Sequence, residues 1–202
     1  QGVLTSNNFK FGTKAVLTDT SDLQIKAVEG DELAFNTKNV SGEIDFSNQV
    51  AKFKANSSDI STEMPYNKYK TSMNEFIWDI PKKTVSFTAR GDEDAYFLST
   101  DNMQDSLIFS GKTATYNIGE SSLSVDGVAL IEVGDAIIET ANGKVNVDPG
   151  GKMQQLTNAT IYVDKIKKQH QINKATVDVT SLHSYTAKGE YAYDISSKKQ
   201  SV

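Results

Sequence analysis

The chain has no cysteine, and Arg90 is the only arginine among its 202 residues. Without cysteine there is no disulfide framework, no thiolate nucleophile and no Cys-ligated zinc. With one arginine, recognition of phosphates or carboxylates by an arginine cluster is excluded. The net charge is −5, and 26 acidic residues outnumber 21 basic ones. Dense contact with nucleic acid needs clustered Lys and Arg to displace counterions, so no nucleic-acid partner is expected. Long apolar runs are missing too. The best, Val128-Ala129-Leu130-Ile131, is broken by Glu132, far short of the roughly 18 residues of a membrane-spanning helix. No transmembrane segment is expected.

The hydrophobic fraction is only 38% and the mean hydropathy is −0.43. A sheet with one buried face per strand needs few apolar residues, because every second side chain faces water. No stretch of helical length shows apolar residues recurring at i, i+3, i+4 and i+7. The fold class expected is all-β.

Four ten-residue windows align without gaps: Ile44 to Phe53, Trp78 to Phe87, Tyr116 to Val125 and Tyr193 to Val202. Position one is aromatic or Ile, position two Asp or Asn, position three Ile or Phe, and position ten Val or Phe. The polar middle is turn chemistry. Each window reads as strand, tight turn, strand, with positions one, three, eight and ten on one apolar face. Weaker copies run from Val163 to Ile172 and from Val177 to Thr186. A further hairpin is expected over Ile138 to Val147, turning at Ala141-Asn142-Gly143-Lys144. The copies begin at irregular intervals, so antiparallel hairpins with variable connections are expected rather than a strict solenoid. An elongated β-roll, jelly roll or sandwich fits this pattern.

The reading treats 1–202 as one all-β repeat module, with sub-halves near 1–90 and 106–202 around the irregular stretch Thr88 to Asp105. The last window stops at its tenth residue, and the chain begins at Gln1 rather than Met. Both features are read as marks of a fragment of a larger polypeptide.

The phrase Thr113-Ala114-Thr115-Tyr116-Asn117, followed by Leu123-Ser124-Val125-Asp126-Gly127-Val128, resembles the repeat of the OstA-like lipopolysaccharide-transport family. The likeness is concentrated at 111–147. The stretch from Pro65 to Asp79, with Asp105-Ser106-Leu107 and the segment from Ala175 to Asp194, is similar to large, repetitive envelope proteins of Gram-negative bacteria. The resemblance implies an OstA-like β-roll, a periplasmic or cell-surface location, and partners in the rest of the same polypeptide, other envelope proteins, or lipid and lipopolysaccharide. It brings no catalytic residue and no lipid-contact residue.

The chemical inventory is thin. His170 and His183 would form a metal site only on facing strands beside a carboxylate, and they read as surface or cross-strand residues. Asp92, Glu93, Asp94, Asp101 and Asp105 raise the question of a calcium loop. They lack its regular acidic spacing and read as solvated loop carboxylates. Gly111-Lys112-Thr113 matches the end of a phosphate-binding loop, but Ser106 stands where the first glycine belongs and a strand follows. No nucleophile elbow or Ser-His-Asp order is present. No enzymatic activity, metal or cofactor is expected.

Candidate ligand-binding residues are Tyr66, Tyr69, Phe76, Trp78 and Tyr116, with Lys68 and Lys70 interleaved. Such aromatics would stack sugar rings or line a groove for acyl chains, although they equally suit a sheet core. The leading functional expectation is a non-enzymatic structural or interaction module of an envelope protein. The alternative is a lipid or lipopolysaccharide carrier whose trough is lined by Phe46, Phe53, Trp78, Phe87, Tyr116, Leu123 and Val125. A third reading is a carbohydrate-binding adhesin module using Tyr66, Tyr69 and Trp78.

Overall fold

The computed structural model describes residues 2–27, 32–57, 62–89, 91, 94–168, 170–195 and 198–201, with only the backbone from residue 192 onward. The described residues are nearly all antiparallel β. The chain opens with β1 (Gly2–Ser6), β2 (Lys10–Phe11) and the long pair β3 (Ala15–Lys26) and β4 (Leu33–Asp45). It continues through β5 (Val50–Ala55), β6 (Thr62–Met64), β7 (Tyr69–Thr71), β8 (Glu75–Asp79) and β9 (Thr84–Thr88). Next come β10 (Ala95–Ser99), β11 (Ile108–Gly111), β12 (Thr113–Asn117) and β13 (Ser122–Asp126). The remaining strands are β14 (Leu130–Val133), β15 (Ala136–Glu139), β16 (Lys144–Val147), β17 (Leu156–Tyr162), β18 (Gln171–Ser181), β19 (Ser184–Ile195) and β20 (Lys198–Ser201).

The organising element is β4. Along one side it pairs with β3; along the other its first half meets β6 and its second half meets β5. The sheet therefore forks into an arm β5-β8-β9-β12-β13-β16 and an arm β6-β7-β10-β11. It curls into a half-barrel, and the arms face each other. Phe35 on β4 lies 5.7 Å from Phe76 on β8 and 5.6 Å from Phe87 on β9. Successive hairpins alternate: β4-β5, β8-β9 and β12-β13 on one side, β6-β7 and β10-β11 on the other. A second sheet, β14-β15-β17-β18-β19-β20, sets β14 beside β11 without a ladder between them. Leu182, in the β18–β19 turn, joins the two sheets. Its N–H donates to the Gln104 carbonyl (3.0 Å), and its own carbonyl accepts from the Gly134 N–H (2.7 Å).

The hairpin template is present in detail. In the first three windows position one pairs with position eight, and position two with position seven: Ile44 with Ala51, Trp78 with Val85, Tyr116 with Leu123. The residue at position six is left-handed each time, with φ of 54° at Gln49, 55° at Lys83 and 51° at Ser121. Position two has a reason of its own. Asp45 Oδ1 accepts the Ser47 and Asn48 N–H groups, Asp79 Oδ1 accepts that of Lys82, and Asn117 Oδ1 that of Glu120. The short side chain closes the turn it precedes.

Position three is the main correction. It lies in the turn rather than on the inward face, so Phe46 is 57% exposed and Ile80 37%, although Ile118 is buried. That explains why Val163 to Ile172 is a true copy despite Lys165 at position three. Asp164 Oδ1 accepts the Ile166 and Lys167 N–H groups, and Lys168 has φ 51°. Val177 to Thr186 is no copy. Its turn sits at Leu182-His183, and Asp178 pairs with Thr186 in mid-strand. The expected hairpin over Ile138 to Val147 also fails: β15 belongs to the second sheet and β16 pairs with β13, so Ala141 to Gly143 cross between sheets. The stretch Thr88 to Asp105 carries β10, which pairs with β7 and β11.

Two turn predictions follow. Asn117→Ala removes a turn acceptor and should lower stability by about 1 kcal/mol, measured by urea unfolding; no change would remove the turn-closing role. Acid unfolding tests the carboxylate versions. Hydrogen bonds from Asn48 hold Asp45, and those from Lys82 hold Asp79, below the ordinary carboxylate value of 3.8. Their folded-state values are depressed, so their contribution is complete above that value and lost as pH falls through the lower folded ones. An Asp45→Ala, Asp79→Ala double variant should therefore lose less stability than the parent between neutral pH and pH values below 3.8.

Candidate functional site

The five aromatic candidates do not assemble into a surface platform. Tyr69, Phe76 and Tyr116 are fully enclosed, at 1%, 2% and 0% exposure, while Tyr66 and Trp78 are partly buried against the same core. Phe76 lies edge-on to Phe35 and Phe87, and Tyr69 packs 6.0 Å from Phe109. Trp78 reaches across to β1, where a Cβ at Gly2 would meet its ring. Lys68, between the two tyrosines, pairs with Asp101 at 2.8 Å.

What gathers these residues is a buried polar knot that sequence reasoning missed. Pro65–Asn67, Asn102–Gln104 and Pro149–Gly151 are one-turn 3-10 helices. Asn67, wholly buried, donates from Nδ2 to the Ser121 carbonyl (2.8 Å) and the Asp148 carbonyl (3.1 Å). Its Oδ1 accepts the Tyr116 hydroxyl at 2.8 Å. Tyr69 donates to Gln104 Oε1 (3.0 Å), and Gln104 Nε2 donates to the Gly151 carbonyl (2.7 Å). Each side chain of the knot finds a partner within the protein, as buried polar groups generally must. Burial pushes the Tyr116 hydroxyl up to about 12 and raises that of Tyr69 further. Gly151, with φ +90°, stands where a Cβ would meet the Asn67 carbonyl. The knot fastens the turns of facing hairpins to one another. It does not present a reactive group to solvent.

The expected trough face is filled. Phe53, Phe87, Tyr116, Leu123 and Val125 are all at 4% exposure or less. Comparison with protein-family models, curated proteins and solved structures returns no match. Function therefore has to be read from the chain's own surfaces.

The remaining candidates are dispersed. His170 and His183 stand at opposite ends of the eleven-residue β18, and His170 Nδ1 engages the Tyr191 hydroxyl at 2.8 Å. Among the described residues no group of three or more His, Asp or Glu is placed to hold a metal ion. Asp92 and Glu93 lie outside the described residues. Asp101 closes the helix Asn102–Gln104, accepting the Met103 N–H at 3.0 Å. Gly111 ends β11 and Thr113 begins β12, so no helix follows the Gly-Lys-Thr phrase.

Two surface regions stand out among the described residues. Across β3, β4, β5 and β8 lies a hollow of about 490 Å3, walled by Leu17 and Ile77 and by the ion pairs Lys10–Asp19 and Lys54–Glu75. Further along the same outer face the character changes. The outward rows of β9, β12, β13 and β16 read Thr84-Asn117-Ser122, then Ser86-Thr115-Ser124-Asn146, then Thr88-Thr113. The third row continues into charge, with Asp126 and Lys144 3.8 Å apart. The signal was in the sequence, in the alternations TVSFT, TATYN and SLSVD. It reads as ordinary outward polarity until the strands are placed side by side.

Proposed function

We propose that the chain is a non-enzymatic structural and interaction module of an extracytoplasmic bacterial protein, and that it works through its outer surface. The observation that carries this reading is the filled interior. The inward residues of the hairpins pack on one another across the half-barrel, and the polar groups of the knot satisfy one another. Both arrangements are closed by the protein's own side chains. The resemblance of the 111–147 segment to OstA-like repeats is what supports an envelope location. The filled core favours a scaffold over a lipid trough.

Native mass spectrometry of protein purified from bacterial membranes and periplasm tests this. A bare apoprotein that takes up neither fatty acid nor lipopolysaccharide is the expected result. A stoichiometric acyl lipid would overturn it in favour of a carrier.

A further inference from the structure

The outer face of β9, β12, β13 and β16 is chemically unlike its neighbours. On β5 and β8 the outward residues include Lys52, Lys54, Glu75 and Asp79, in the usual mixture of signs. Of the eleven outward residues on these four strands, nine are hydroxyl or amide residues, and the two charged ones, Asp126 and Lys144, stand together at the end of one row. An ordinary solvated surface is about a quarter to a third charged. Water gives no reason to exclude charge, whereas the middle of an interface does, because each charge there must be desolvated. No bulge interrupts the pairing of β9, β12 and β13, so the residues of each row repeat at the strand spacing of roughly 4.7–4.9 Å, with Ser86 and Thr115 exposed and the Ser124 Oγ covered beside them.

A pocket of about 110 Å3 adjoins this face at Asn146. Its lining is dominated by hydroxyl and amide side chains: Thr140, Asn142, Asn146, Gln154, Gln155 and Thr157. Two of the amides are held in place. Gln154 Nε2 donates to Asp148 Oδ1 at 2.6 Å, and Gln155 Nε2 donates to Asp178 Oδ2 at 2.8 Å. Each clamp fixes which end of the amide is the acceptor, leaving one carbonyl oxygen and one N–H for a ligand. Lys144, the single charged lining residue, faces Asp126.

We propose that this face and its amide pocket bind an uncharged polysaccharide. The chain lies along the hydroxyl rows, and the edge of one sugar ring enters the pocket. The chemistry excludes the other partners. A protein interface needs buried aromatic or arginine anchors, and the face has none. Nucleic acid needs clustered cations. A neutral polyol offers the alternating donors and acceptors that Ser, Thr, Asn and Gln satisfy.

The proposal rests on reading the chain as an interaction module, but its test is separate. Loss of glycan binding would leave the filled interior and its lipid assay untouched. The experiment is affinity electrophoresis of the whole chain through dextran, β-1,3-glucan and galactomannan, beside an array of neutral oligosaccharides. Retardation by at least one uncharged glycan is expected. It should weaken at least tenfold in Thr115→Lys and in Gln154→Ala, and stay unchanged in Ile77→Lys, an outward substitution on β8. Circular dichroism checks that each variant is folded. Three results would overturn the proposal: no retardation by any neutral glycan, equal retardation of Thr115→Lys and the parent, or retardation by charged polysaccharides alone.

Discussion

Replacing Asn67 with alanine should destabilise the protein by about 4 kcal/mol, more than any surface substitution. The side chain serves three partners at once: the carbonyls of Ser121 and Asp148, and the hydroxyl of Tyr116. Truncation leaves all three facing a small void. An unsatisfied buried polar group costs roughly 1–3 kcal/mol, and entry of a water would recover part of that total. For a chain of this length the loss corresponds to a fall in Tm of roughly 10 °C. Calorimetry with urea unfolding measures both, and a loss under about 1 kcal/mol would mean that solvent already reaches the knot. Alkali gives a second readout. The Tyr116 hydroxyl is raised in the folded state, so its contribution is complete below the unfolded value of 10.0 and is lost as pH climbs toward about 12. Tyr116→Phe should flatten that alkaline decline.

Phe76→Ala should cost about 3–5 kcal/mol, the range for emptying a buried aromatic site. Phe76 touches Phe53 in its own arm and Phe35 across the half-barrel, at centroid distances of 6.4 and 5.7 Å. The contact with Phe35 ties the β8–β9 hairpin back onto β4, the strand from which both arms fork. A double-mutant cycle between Phe35 and Phe76 should return a coupling of about 0.5–1.5 kcal/mol. The neighbouring Ile77→Ala, whose side chain points outward, should change stability by no more than about 0.5 kcal/mol. A coupling of zero would show that this aromatic contact does not hold the β8–β9 hairpin against β4.

The hairpins were legible in the sequence because each is specified locally. Apolar residues at positions one, eight and ten sit two or seven apart, and an Asp or Asn stands where the turn needs an acceptor. The template mistook position three, since Phe46 and Ile80 look like strand residues while the turn has already begun beneath them. Which strand lies beside which was not legible. A ten-residue pattern fixes a pair of strands and says nothing of their neighbours. The windows at 44, 78 and 116 lie side by side in one arm because a hairpin of the other arm intervenes each time. Those intervening hairpins, β6-β7 and β10-β11, turn through 3-10 helices and carry no template. The same limit hid the knot, because Asn67 and Gln104 read as turn residues until their distant partners, Asp148 and Gly151, are brought to them. Burial of Tyr69 and Tyr116 leaves no aromatic platform, and the polar rows of β9, β12 and β13 consist of residues that periodicity alone calls solvent-facing.

The alternation of hairpins between the two arms also bears on how such a chain changes length. One hairpin added to each side extends the half-barrel by one unit along its axis, and every existing strand keeps its partners except at the point of insertion. Crossovers such as Gly127 to Ala129, between β13 and β14, are the natural joints for such a change. Duplication or deletion in steps of two hairpins would give homologues of different lengths with the same cross-section.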